Sequence, residues 1–324
     1  MIMKKIAIYI PAMVFCISLV LLRIIPGAAE EEKSFTVAFV PGDVTIPFCV
    51  IMKNGMLEKA KKLGINIEYD GADEWNYIKQ IQILEGIIEE GVDLIIVAPI
   101  DGEKLIPVLK KAVDKGMPVI TVDTNIDDDS FIIAHIGSDN VQGDKIAAET
   151  LSEKIGFKGE IVAISVSGFP ALENRMRGFL EAIKAYPDIK LAEEPQYCDV
   201  DKEKIAVIIQ AIVREHEDLK GIFAADNTSA EGVQEGLKNE GLTGKIALIT
   251  YDAEGPQVAG LRSGSITALL VKKPFEIGRV AVEYAYYYLT GQKDKIEKQK
   301  FIPFIIATPE NVDNPEIKKW FYAK

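Results

Sequence analysis

Short apolar runs of four to six residues alternate with helix-length amphipathic stretches, and the punctuation between them is regular. Runs at residues 35–40, 65–69, 93–98, 119–122 and 131–136 are rich in Val, Ile and Phe. They suit strands, and the run at 119–122 suits one buried on both faces. Helix patterns at 50–63, 77–90 and 103–115 lie between the first four. Gly64, Gly91 and Gly116 each fall just past a helix, where a C-cap favours a residue without a Cβ. Each glycine then feeds the next strand within one or two residues. Repeats of this kind require a parallel sheet with right-handed crossovers.

The pattern restarts after Asn140. Helices at 142–154, 172–185, 202–215, 229–239 and 256–262 alternate with strands at 160–165, 190–196, 221–225, 245–250 and 265–271. Pro274 suits the first turn of a helix over 275–289. A last strand at 301–307 precedes a polar tail. Two such sets in 324 residues imply two domains. The helix at 275–289 has no βα series of its own, so the simplest packing returns it to the first domain. The chain then crosses between domains near Gly137 and Ser138, near Lys272 to Pro274, and near Pro303. The expected fold is α/β: two similar doubly wound parallel-sheet domains joined by a three-crossing hinge. The expected lobes are 34–137 plus 273–303, and 138–272 plus 304–324. Hinged α/β pairs close around ligands held between them.

The first 29 residues differ in kind. A basic start with Lys4 and Lys5, an apolar run over 6–22 and the small residues Gly27, Ala28 and Ala29 read as a signal peptide, residues 1–29. An uncleaved membrane anchor is the alternative, since the run is long enough. Cleavage removes Lys4, Lys5 and Arg23 and takes the net charge from −12 to −15. That charge argues against nucleic acid as a partner, because phosphate binding needs a basic footprint. Cys49 and Cys198 then remain, too few for a disulfide framework. With His135 and His216 far apart in sequence and no CxxC, no metal site is expected. Asp127, Asp128 and Asp129 read as a solvated loop, not a spaced ligand set. No GxGxxG, P-loop, GxSxG or HExxH occurs, so no cofactor and no enzymatic activity are expected.

The stretch PVITVDTNIDDDSFIIAHIGSDN places Asp123 at the carboxyl end of a buried strand. In open parallel sheets, ligands bind outside those ends.

The ordered stretches IPFCVIMKNG, GVDLIIVAPID, PVITVDT, IGSDN, ENRMRGF, FAADNTSAEGV, ITYDAEG and KKPFEIG resemble the periplasmic sugar-binding proteins of ribose-binding type, solute-binding proteins of ABC importers with the type I periplasmic-binding fold. The resemblance spans about 34–307. It implies an exported protein, periplasmic or cell-surface associated, that captures a sugar or polyol between its domains and docks as a monomer on a membrane permease. Sugar hydroxyls must keep hydrogen bonds when buried, and charged partners make the stronger ones.

Carried over residue by residue, the resemblance makes Phe48 a stacking aromatic, Asp123 and Asp252 hydroxyl-binding carboxylates and Arg175 a fork donor. Arg177 reads as a surface charge. Asp226 stands where the family often has Asn, with Asn227 following in apparent exchange. Five positions depart from the pattern. Thr124 replaces an arginine, Cys49 and Cys198 stand where aromatics would stack, and Lys272 takes the place of a glutamine. Ile46 replaces a polar ligand residue. These departures argue against ribose itself. Lys272 either pairs with a neighbouring carboxylate or meets a polar group on the ligand. Cys49 and Cys198 are wall residues or an oxidisable pair across the cleft. Trp75 lines the rim or packs a helix start. The alternative function is ligand sensing for a chemoreceptor or sensor kinase. A repressor core of the same fold would need a basic helix-turn-helix where the signal sequence stands.

Overall fold

A computed structural model describes residues 34–168 and 170–322. The signal sequence expected at 1–29 lies outside the described residues.

The chain begins with β1 (Phe35–Val40), α1 (Pro47–Leu63), β2 (Ile65–Tyr69), α2 (Tyr77–Glu90), β3 (Leu94–Val97), α3 (Ile106–Asp114), β4 (Val119–Val122) and β5 (Ala134–Ser138). It continues with α4 (Asn140–Lys154), β6 (Gly159–Val166), α5 (Pro170–Ile183), β7 (Ile189–Leu191), β8 (Gln196–Cys198), α6 (Lys202–Glu215), β9 (Leu219–Ala224) and α7 (Asn227–Asn239). Then follow β10 (Ala247–Tyr251), α8 (Gly255–Ser263), β11 (Ala268–Val271), α9 (Pro274–Leu289), β12 (Gln299–Ile302), β13 (Ile305–Ala307) and α10 (Pro315–Lys318).

These elements make two α/β domains, each built on its own sheet. The first sheet has the order β12-β5-β4-β3-β1-β2, and the second β13-β11-β10-β9-β6-β7, with β8 also on β6. All pairings are parallel except β11 with β13. The central strands LIIV and VITV are buried along their whole length, which explains their lack of alternation. Apolar clusters lie on both faces of each sheet. The chain leaves the first sheet after Ser138, leaves the second after Val271, and passes from first to second again after Ile302. Between the last two passages, α9 packs on α1.

Four expectations need correction. The run at 131–136 forms a strand only from Ala134, because β12 pairs with His135–Ser138 and draws the strand two residues onward. The strand expected at 190–196 is two short pieces pairing with different parts of β6. Pro195 falls between them and cannot donate to a ladder. The strand expected at 301–307 is likewise two pieces on different sheets, divided at Pro303. The tail is not polar throughout: Val312, Phe321 and Tyr322 are buried.

Candidate functional site

Asp123 and Asp252 occupy matching places in the two sheets. Asp123 follows β4, and its N–H donates to Ile136 O at 2.9 Å on the neighbouring strand. Asp252 follows β10, and its N–H donates to Leu270 O at 2.9 Å on the neighbouring strand. Both then turn out of the sheet with positive φ, 60° and 69°. Side chains rarely adopt that backbone, and aspartate tolerates it better than most. Thr124 N–H reaches back to Val122 O at 2.7 Å and closes a tight turn around Asp123.

Lys272 stands just past β11, where the chain leaves the second sheet. Its Nζ lies 3.2 Å from Asp123 Oδ1 and 5.0 Å from the centre of the Phe48 ring. Phe48 is in the first turn of α1, with Pro47 before it. Tyr322, from the tail, donates to Asp252 Oδ1 at 3.1 Å, and its ring meets Phe48 edge-on at 5.8 Å. One cluster therefore contains Phe48, Asp123, Asp252 and Lys272. Lys272 takes the pairing that was the plainer of its two expected roles.

Arg175, on α5, donates to Ala225 O at 2.6 Å and lies 3.8 Å over the ring of Tyr251. Asp226 follows directly, but its carboxylate is committed inside the second domain. It accepts from Ser229 N at 2.8 Å, Ser229 Oγ at 2.7 Å and Val166 N at 3.0 Å, capping α7. Its neighbour Asn227 has a buried Oδ1 without a partner. Arg177 is exposed and bonds Asn174, as a surface charge would.

Cys49 and Cys198 are both buried free thiols. Burial, then the charge of Asp123, pushes Cys49 up to about 12, so it stays protonated. Burial also raises Cys198, assisted by Asp226 and Asp199. Burial and then the Asp252 charge raise Glu254, beside the same cluster. Trp75 is half-exposed and its ring covers Gly42, where a Cβ would come 2.5 Å from it. The histidines lie apart. His135 is buried against Thr121 Oγ1 at 3.0 Å, and burial lowers its pKa to about 4. His216 bridges Glu193 and Glu160 near the surface. A cavity of about 840 Å³ lies elsewhere, along α5 and β7, lined by Leu180 and Tyr197 among others.

The arrangement can bind a small polar molecule. Carboxylates, an ammonium and an aromatic face converge from two sheets, and no activated nucleophile appears among the described residues. Over residues 37–293 the sequence matches the periplasmic binding protein domain. The chain belongs to that family. Similar proteins include the ribose import binding protein of Salmonella typhimurium, 27% identical over 82% of this chain and 88% of the relative. The D-allose-binding periplasmic protein of Escherichia coli is 28% identical over 81% of this chain and 88% of the relative. Among solved structures, an ABC transporter solute-binding protein from Agrobacterium vitis bound with alpha-D-tagatopyranose superposes with a TM-score of 0.80. It is 34% identical and covers 90% of this chain and 100% of its own. The family is one of binding and transport, with the type I periplasmic-binding architecture.

Tyr322 and Glu254, beside this cluster, were not singled out in the sequence, whereas Asn227 was, through its apparent exchange with Asp226. Tyr322 had a signal, since Trp320, Phe321 and Tyr322 form an aromatic run at the end of a charged tail.

Proposed function

We propose that this chain is an exported solute-binding protein that captures a sugar or sugar-like molecule between its two domains and delivers it to an ABC importer. The pairing of Asp123 and Asp252 carries this reading. Each ends a central strand of a different sheet, and each is turned by the same positive-φ step toward one cluster. Two carboxylates from two domains suit a ligand with hydroxyls on opposite edges. Phe48 offers an apolar face to the ring, and Arg175 and Lys272 supply donors. Thr124, Cys49 and Cys198 complete the proposed wall, with Asp226 holding the α7 end in place.

The lobes in this reading are 34–137 with 273–303, and 138–272 with 304–324. The three passages between sheets act as a hinge, and ligand touching both lobes stabilises the closed state. Export rests on residues 1–29. Among the described residues no helix is long and apolar enough to cross a membrane. The protein works as a monomer without cofactor and without covalent chemistry, and its closed form docks on the permease.

A thermal-shift screen of pentoses, hexoses and polyols tests the ligand class. At least one compound should raise the Tm, and Asp252→Ala should abolish the rise. A flat response across the whole set would rule out this ligand class.

A further inference from the structure

The described part of the C-terminal tail brings Tyr322 against the loop that carries Asp252. Val312 and Phe321 are buried in the core of the second domain, and Ile317 and Trp320 pack against it. Tyr322 then turns inward. Its N–H donates to Ala253 O at 3.0 Å, in the loop that carries Asp252. Its hydroxyl donates to Asp252 Oδ1 at 3.1 Å and faces Lys272 O at 3.4 Å. The residue is 5% exposed. Burial, followed by the Asp252 charge, holds the phenol well above its ordinary pKa, so it remains a donor.

We propose that Tyr322 is a specificity-determining residue of the ligand cleft, an aromatic wall supplied by the tail where positions 49 and 198 carry no ring. This rests on the sugar-binding reading above. Tyr322 lies well beyond residue 293, where the family match ends. Three observations support the role. First, its ring and that of Phe48 form an edge-on corner, one ring from each domain, beside the paired carboxylates. A tyrosine suits such a place because its body is apolar and its tip polar. Second, its hydroxyl holds one oxygen of Asp252 and leaves the other to a ligand hydroxyl in a fixed direction. An epimer whose hydroxyl points elsewhere leaves a buried acceptor unpaired, which costs more than a poor contact. Third, Tyr322 is built in. Phe321 before it is 6% exposed in the domain core, and the bond to Ala253 fixes its backbone. It is a wall, not a free arm that enters and leaves.

The test uses Tyr322→Phe and Tyr322→Ala in the full mature chain, titrated calorimetrically with D-ribose, D-allose, D-tagatose and D-arabinose. Tyr322→Phe should keep the ligand-free Tm within about 2 °C. It should weaken the best wild-type sugar about tenfold to a hundredfold and change the order of preference among the four. Tyr322→Ala should weaken it further. A tyrosine that merely packs the tail would lower the Tm and leave the order of sugars intact, and that result overturns the proposal. Tighter binding by Tyr322→Ala overturns it too, because the tail would then be an obstruction. Wild-type protein that binds neither these four nor any compound of the thermal-shift screen removes the sugar reading and this proposal together. Wild-type binding with unaltered variants removes only the role of Tyr322.

Discussion

Asp144 is 5% exposed on α4 and accepts from Tyr251 Oη at 2.7 Å. Tyr251 in turn lies beneath the guanidinium of Arg175. The three residues form a stack that sets the height of Arg175 at the end of β9. Burial pushes the Asp144 carboxyl from its ordinary 3.8 up to about 6, against the pull of the Tyr251 bond and the Arg175 charge. The sign of the consequence follows from proton counting. Between these two values the folded state binds more protons at Asp144 than the unfolded state, so stability falls as pH rises across that window. Asp144→Asn removes the titration. Relative to the variant, wild-type protein should lose Tm as pH goes from 4 to 6 and change little above 7. Parallel Tm profiles for the two proteins would show that Asp144 does not titrate in that range. At this scale the sequence was partly legible. Asp123 could be found because it ends the buried run VITV, and Asp252 because the stretch ITYDAEG resembles the family pattern. The occupation of Asp226 was not read: its cap on Ser229 is local, but Val166 reaches it only in the folded domain.

Helix α9 leaves the second sheet and packs against α1 of the first, and two glycines make that contact close. A Cβ at Gly55 would fall 2.0 Å from Phe275 O, and one at Gly278 would fall 2.1 Å from Met52 O. Backbone atoms cannot yield as a flexible side chain can. Gly278→Ala should therefore destabilise the protein by about 1–3 kcal/mol, read as a lower denaturation midpoint in urea. An unchanged midpoint would mean that the helices separate at no cost. The packing of α9 on the first domain was readable from element order, but these two close approaches were not. Helix ends were legible because glycine and proline carry their own backbone geometry: Gly64 ends α1 at φ 68°, and Pro274 opens α9. The divided strands were not, because composition alone did not show where β6 changes partner or where Pro303 passes between sheets.

At the scale of the whole molecule, two sheets present equivalent strand ends, Asp123 and Asp252, to one cluster. The repeated strand-helix pattern made the two domains visible in the sequence, and the ordered motifs pointed to Phe48, Asp123, Asp252 and Lys272, which the fold brings together. The tail escaped because its buried aromatics are few and sit among charges, and burial depends on the surface they meet. Its Tyr322 now joins Phe48, Asp123, Asp252 and Lys272 in one cluster drawn from both domains. The central claim is that a sugar is held by both domains at once. The most direct measurement is a calorimetric titration of the best sugar into wild-type protein, Asp123→Ala and Asp252→Ala. The expected result is one site per chain in the wild type and a loss of about a hundredfold or more in each variant, although the two changes lie in different domains. Binding by both variants within about threefold of wild type, well under 1 kcal/mol, would contradict the account and place the site outside this cleft.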